Sequence, residues 1–135
     1  MKNLFLSSII IIILAIFASC GKDQGLLPFL EFSKTGDNIY KDTLLDKGSS
    51  FTISLKSYKA EDADVLKKFN INKIVNASAG VSVFSKDLTS TEADTFKYSF
   101  TSKLDTIAGQ KNKFVFTITN RDGLVKQDSL TITTK

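Results

Sequence analysis

Histidine and tryptophan are missing from this chain of 135 residues, and cysteine, proline and methionine occur once each. Each absence removes chemistry. Ser-His-Asp triads, Cys-His dyads and the usual zinc sets all need His or paired Cys, so none can be assembled here. A lone Cys also leaves no intrachain disulfide, and stability must come from packing. These gaps weigh against catalysis: the expectation is a chain that is not an enzyme, with no cofactor and no metal.

What is present fits one globular domain: 42% hydrophobic residues, 24% charged, and a modest formal charge of +4. The basic residues are spread along the chain, dense only at Lys67-Lys68 and around Lys111 and Lys113. Nucleic-acid binders gather charge on one face and interleave stacking aromatics, so no nucleic-acid partner is expected.

The first twenty residues form an address. Lys2 precedes an apolar run over residues 4–17, interrupted only by Ser7 and Ser8. The run is short of the roughly 20 residues a spanning helix needs and suits the core of an export signal. It ends in Phe17-Ala18-Ser19-Cys20, which resembles the bacterial lipobox, with Phe17 where Leu is usual. That resemblance implies a signal peptide over 1–19, with Cys20 diacylated as the mature N-terminus. The implied partner is the lipid bilayer, reached through acylated Cys20. Acyl chains contribute about 0.8 kcal/mol per buried CH₂, enough for stable anchoring once two or more share one residue. Residues 20–26 then form a polar, Gly-containing tether. Lys22-Asp23 within it resembles the signal that sends Bacteroidota lipoproteins to the outer face of the outer membrane. The expected location is therefore the outer membrane, with the cell surface favoured over the periplasmic face.

Residues 27–135 show period-two alternation, the spacing that puts every second side chain on one face of a sheet. Phe51, Ile53 and Leu55 alternate with Thr52, Ser54 and Lys56, and Phe96, Tyr98 and Phe100 with Lys97, Ser99 and Thr101. Phe114, Phe116 and Ile118 should face inward, and Asp122-Gly123 should turn the chain back into a last strand with Leu130 and Ile132 inward. Shorter strands are expected at 27–32, at an edge because of Pro28, at 39–45, and at 81–84 after a turn at Gly80. The acids Glu61, Asp62 and Asp64 ahead of Lys67 and Lys68 suit a helical turn, but Val65, Phe69, Ile71 and Val75 recur on odd positions and favour a strand. About seven strands, rich in the chain's eleven Phe, call for two sheets packed face to face.

The last third, with Gly109, the run from Phe114 to Thr119, Asp122-Gly123 and Ser129-Leu130-Thr131-Ile132-Thr133, resembles immunoglobulin-like and PKD-like modules of bacterial surface lipoproteins. The resemblance implies an all-β, single immunoglobulin-like Greek-key sandwich. Phe114 stands where such domains often place a corner Tyr, and the Cys-Trp-Cys core of antibody domains is missing.

Several residues carry specific expectations. Asp42-Thr43-Leu44, Asp105-Thr106-Ile107 and Asp128-Ser129-Leu130 each resemble the acceptor triplet of Bacteroidota O-glycosylation, which makes Thr43, Thr106 and Ser129 candidate sugar carriers. Tyr40 and Tyr58, near strand ends, are candidates for stacking on a sugar ring, whereas Tyr98 should be buried among Phe residues. Glu61, Asp62 and Asp64 make a weak calcium pattern, since Val65 and Leu66 follow rather than further oxygens. The expected function is an anchored interaction or structural module with a protein or glycan partner. The alternative is a carbohydrate-binding accessory protein of an outer-membrane glycan uptake system.

Overall fold

The computed structural model describes residues 25–135, so the expected signal peptide 1–19 and the expected lipidation at Cys20 lie outside the described residues. Eight strands follow in chain order: β1 Phe29–Phe32, β2 Thr43–Leu45, β3 Ser50–Tyr58, β4 Leu66–Val75, β5 Val81–Asp87, β6 Thr95–Lys103, β7 Lys111–Asn120 and β8 Val125–Thr134. They form a three-stranded sheet, β1-β3-β6, and a five-stranded sheet, β2-β8-β7-β4-β5. The expected all-β sandwich is therefore found.

Alternation sets the faces. Ile53, Phe69, Ile71, Phe116, Ile118 and Ile132 are fully enclosed between the sheets, with Phe114, Leu66 and Leu130 almost so. Aromatic rings bridge the layers: Phe51 meets Phe114 at 5.4 Å between centroids, and Phe32 meets Phe116 edge-on at 5.3 Å. Such offset and edge-to-face contacts are the favoured aromatic geometries.

Three local expectations are revised. The segment expected as a strand over 39–45 is divided: Asn38 bridges to Thr52 of β3, and only Thr43–Leu45 pairs, in parallel with β8, after the chain has crossed to the other sheet. The turn after β4 is carried by Asn76 and Ala77, both at positive φ (47° and 62°), and not by Gly80, whose backbone is not left-handed. In the β7–β8 hairpin, Gly123 alone takes positive φ (81°). Its N–H bonds to Asn120 O while Asn120 N–H bonds to Leu124 O, a three-residue loop with one left-handed residue. Leu66 breaks the odd-position rule because the register with β7 shifts between Leu66 and Lys68, a bulge that turns both Leu66 and Phe69 inward.

Pro28 is buried just ahead of β1, and β1 is an edge strand as expected. The β3–β4 connection makes one tight turn, closed by Asp64 N–H on Glu61 O, and then enters β4 as a strand.

Candidate functional site

The outer face of the three-stranded sheet is built by the register of β3 with its two neighbours. Three rows of side chains result: Phe29, Tyr58 and Thr95; then Glu31, Lys56 and Lys97; then Ser54 and Ser99. Rows on one face lie two residues, about 7 Å, apart along the strands. In the first row the Phe29 and Tyr58 rings stack at 4.7 Å, with an interplanar angle of 17°. Phe29 is 46% exposed, far from the core, so this pair forms an apolar rim on a wet face.

The second row is electrostatically unusual. Lys56 and Lys97 stand directly opposite each other, a like-charge arrangement that disfavours the pairing. Glu31, opposite Lys56 on the other side, accepts a hydrogen bond from the Tyr58 hydroxyl at 2.8 Å. That bond, with partial desolvation and the carboxylate charge, raises the Tyr58 pKa above its ordinary value. The Lys56 ammonium lies over the Tyr58 ring, 5.1 Å from its centroid. Neither Lys56 nor Lys97 has a carboxylate partner among the described residues.

In the third row the Ser54 and Ser99 hydroxyls are 2.8 Å apart, and Ser54 also donates to Asn38 Oδ1 at 2.7 Å. The hydroxyl and lysine rows line a shallow trough of about 430 Å³ with Glu31 on its β1 side.

The residues singled out from sequence fall in several places. Tyr58 joins this face, but Tyr40 does not: it is 40% exposed and lines a separate hollow with Lys34 and Asp128. Tyr98, expected to be buried, is half-exposed and stacks on Phe84 at 4.4 Å where the sandwich closes along one side. Thr106 is exposed in the β6–β7 connection. Thr43 and Ser129 are half-buried within β2 and β8, where Asp42 Oδ1 accepts the Thr131 N–H and Asp128 Oδ1 accepts the Ser129 N–H.

The acidic cluster is divided as well. Asp64 is buried and accepts from Asn120 Nδ2 at 2.6 Å and from Val65 N–H at 2.7 Å, while Asp62 points outward. Among the described residues no group of three or more His, Cys, Asp or Glu is placed to hold a metal.

Sequence reasoning missed Phe29, Glu31, Lys97 and Ser99 as neighbours of Tyr58. The even-numbered phase of β3 already puts Tyr58 and Lys56 on the wet face. What it does not contain is the register that sets Lys97 opposite Lys56 across an interval of forty residues.

No family model matches the chain, and no curated protein matches it. Among solved structures, the fold is similar to the superoxide reductase (neelaredoxin) from Ignicoccus hospitalis, at 10% identity over 82% of this chain and 81% of that one, with a TM-score of 0.56. Two variants of that protein align at 11% identity: one over 87% of this chain and 86% of its own, TM-score 0.56, the other over 81% and 80%, TM-score 0.55. At such identity the likeness is one of fold. It nonetheless corrects the expectation that the chain is not an enzyme. That expectation leaned on missing residue types, whereas an enzyme shares this sandwich.

Proposed function

We propose that the chain is an exported, lipid-anchored lipoprotein whose immunoglobulin-like sandwich acts as an interaction or structural module at the bacterial outer membrane. The observation that carries this reading is where the tether meets the domain. Gly25 packs beside Leu124 and Asp122, and Leu26 O accepts from Asn120 Nδ2, so residues 25 and 26 lie at the end formed by the 59–65 and 121–124 loops. An anchor at that end leaves both outer sheet faces and the opposite end, with Gly48 and the 104–110 connection, open to partners.

Strand order supports the immunoglobulin-like assignment. Grouping β1, β3 and β6 against β4, β7 and β8 parallels the A-B-E and C-F-G sheets of such domains, with β5 added beside β4 and β2 beside β8.

The test is protease accessibility of the domain on intact and on lysed cells, for the parent and for Cys20→Ala. Equal cleavage in both, with loss of the variant from membranes, is the expected result. A variant that stays membrane-bound overturns the anchor, and cleavage only after lysis overturns the surface orientation.

A second reading, carbohydrate capture beside a glycan uptake system, is favoured by the exposed Phe29 ring backed by Tyr58, since sugar rings settle on aromatic surfaces flanked by polar groups.

A further inference from the structure

We propose that the outer face of the three-stranded sheet binds an acidic oligosaccharide, its uronate carboxylate held by Lys56 and Lys97, its hydroxyls by Ser54 and Ser99, and a sugar ring settled on the exposed Phe29 that Tyr58 backs. The proposal rests on the carbohydrate reading and names the class of glycan.

Charge selects the ligand. Lys56 and Lys97 are opposite each other on paired strands, a like-charge pair, and the one carboxylate in their row is engaged by the Tyr58 hydroxyl. An exposed lysine pair without a counter-charge is a preference for an anion, and it is strongest at low salt. Glu31 on the β1 side keeps the anion toward β6, where Lys97 and Ser99 are exposed. Its second oxygen, not engaged by Tyr58, is an acceptor for a sugar hydroxyl.

Geometry separates a sugar from a bare phosphate. The aromatic rim, the cation row and the hydroxyl row succeed one another at about 7 Å intervals, so a ligand that uses all three is extended and amphipathic. Hydroxyl pairs such as Ser54–Ser99 both donate and accept, which suits the vicinal hydroxyls of a pyranose. Tyr58 carries the Phe29 ring and the Lys56 ammonium, so the aromatic surface open to a sugar is Phe29, with the Lys56 cation beside it.

The experiment is isothermal titration calorimetry on the full lipidated chain in detergent micelles, with tetragalacturonate and the neutral maltotetraose as probes. Tetragalacturonate is expected to bind in preference to maltotetraose and to weaken as NaCl is raised. Lys97→Gln and Lys56→Gln should each lose about tenfold in affinity, the size of one charge-assisted hydrogen bond. Lys113→Gln, exposed on the other sheet, should bind as the parent does. All three positions are exposed, and circular dichroism confirms that the variants stay folded.

Unchanged binding in Lys56→Gln and Lys97→Gln overturns the proposal. Equal binding of both probes, lost in Tyr58→Ala but not in the lysine variants, overturns the acidic class and leaves the carbohydrate reading standing. If neither probe binds, the proposal falls and the carbohydrate reading falls with it. The lipoprotein reading has its separate test in accessibility and Cys20.

Discussion

On the five-stranded sheet the inward residues Phe69, Ile71, Phe116, Ile118 and Ile132 are fully sealed, whereas on the three-stranded sheet Ile53 of β3 is sealed but Phe32 of β1 and Tyr98 and Phe100 of β6 stay half-exposed although they point at the same core. Strand position explains the difference. Of the three strands only β3 has a neighbour on both sides, so β1 and β6 carry their inward residues along open edges, whereas β8, β7 and β4 of the wide sheet are each flanked. β5 is an edge of the wide sheet. Its Phe84 therefore stacks on Tyr98 to close that side. The wide sheet thus holds most of the buried apolar surface, and the narrow one exposes a face whose side chains are constrained less by packing.

The largest test of that contrast compares two phenylalanines. Phe116→Ala empties a sealed site bordered by Phe32, Phe69 and Phe100 and should cost about 3–5 kcal/mol. Phe100→Ala removes a half-exposed ring and should cost about half as much. Urea unfolding followed by tyrosine fluorescence measures both, since the chain has three Tyr and no Trp. Equal losses would break the comparison between the sheets.

Next comes the polar plug at the end of the sandwich where Gly25 lies. Asn120 is buried and ties three segments together: its amide donates to Asp64, its side-chain oxygen accepts the Leu124 N–H at 2.8 Å, and Leu26 O lies at 3.4 Å. Asn120→Ala leaves the buried Asp64 carboxylate one donor short, at a cost of about 2–3 kcal/mol. Asn70→Ala, on the outer face of the same sheet, loses bonds to Ser82 and Phe84 where water can replace them, so its cost should stay below about 1 kcal/mol.

How much of this was legible depends on whether a feature is local or paired. The inward residues of β3 and β7 were legible because Phe51, Ile53 and Leu55, and Phe114, Phe116 and Ile118, keep strict alternation within one strand. The β4 bulge was not, because it exists only relative to β7, and its sign is that Leu66 and Phe69 both point inward at odd spacing. The candidate site divides in the same way. Tyr58 was visible from its own strand, while Phe29, Lys97 and Ser99 belong with it through pairings that no local pattern encodes. Tyr40 was grouped with Tyr58 by residue type, yet the sheet crossover between Asn38 and Thr43 carries it to another hollow. Asp64 looked like a loop ligand because its neighbours are acidic, and its partner Asn120 is fifty-six residues away.

Acid should act on the two ends of the sandwich with the same sign. The Glu92 carboxyl is held below its usual range first by the hydrogen bond from Lys86 and then by the Thr89 N–H, and that of Asp105 first by Gln110 and then by Lys73. A carboxyl whose folded pKa is lowered stabilises the fold above its unfolded pKa, and that contribution disappears as pH falls through the folded value. Urea midpoints should therefore drop between about pH 5 and the folded pKa values. Glu92→Gln should be less stable than the parent at pH 7 and should converge on it in acid. A constant difference across the titration would show that Glu92 acts through shape alone.

The smallest effects separate the two hairpins of the wide sheet, which reach left-handed backbone with different residues. β7–β8 uses Gly123 at φ 81°, where adding a Cβ meets no atom within 4 Å, so Gly123→Ala should cost only the conformational penalty of about 1 kcal/mol. β4–β5 forces Ala77 to φ 62° and Asn76 to 47°. Asn76 is fitted to that state, since its side-chain oxygen accepts the Lys111 N–H and its own N–H bonds to Lys111 O, both at 2.9 Å. Ala77 has no side chain with which to compensate. Ala77→Gly relieves a strain of about 1–2 kcal/mol and loosens the unfolded chain by about 0.5–1 kcal/mol, so stability should rise by up to about 1 kcal/mol. Asn76→Gly should instead lower it, because the bond to Lys111 is lost. If both glycine variants raise the urea midpoint, relief of positive φ governs this turn and the Asn76–Lys111 bond contributes little.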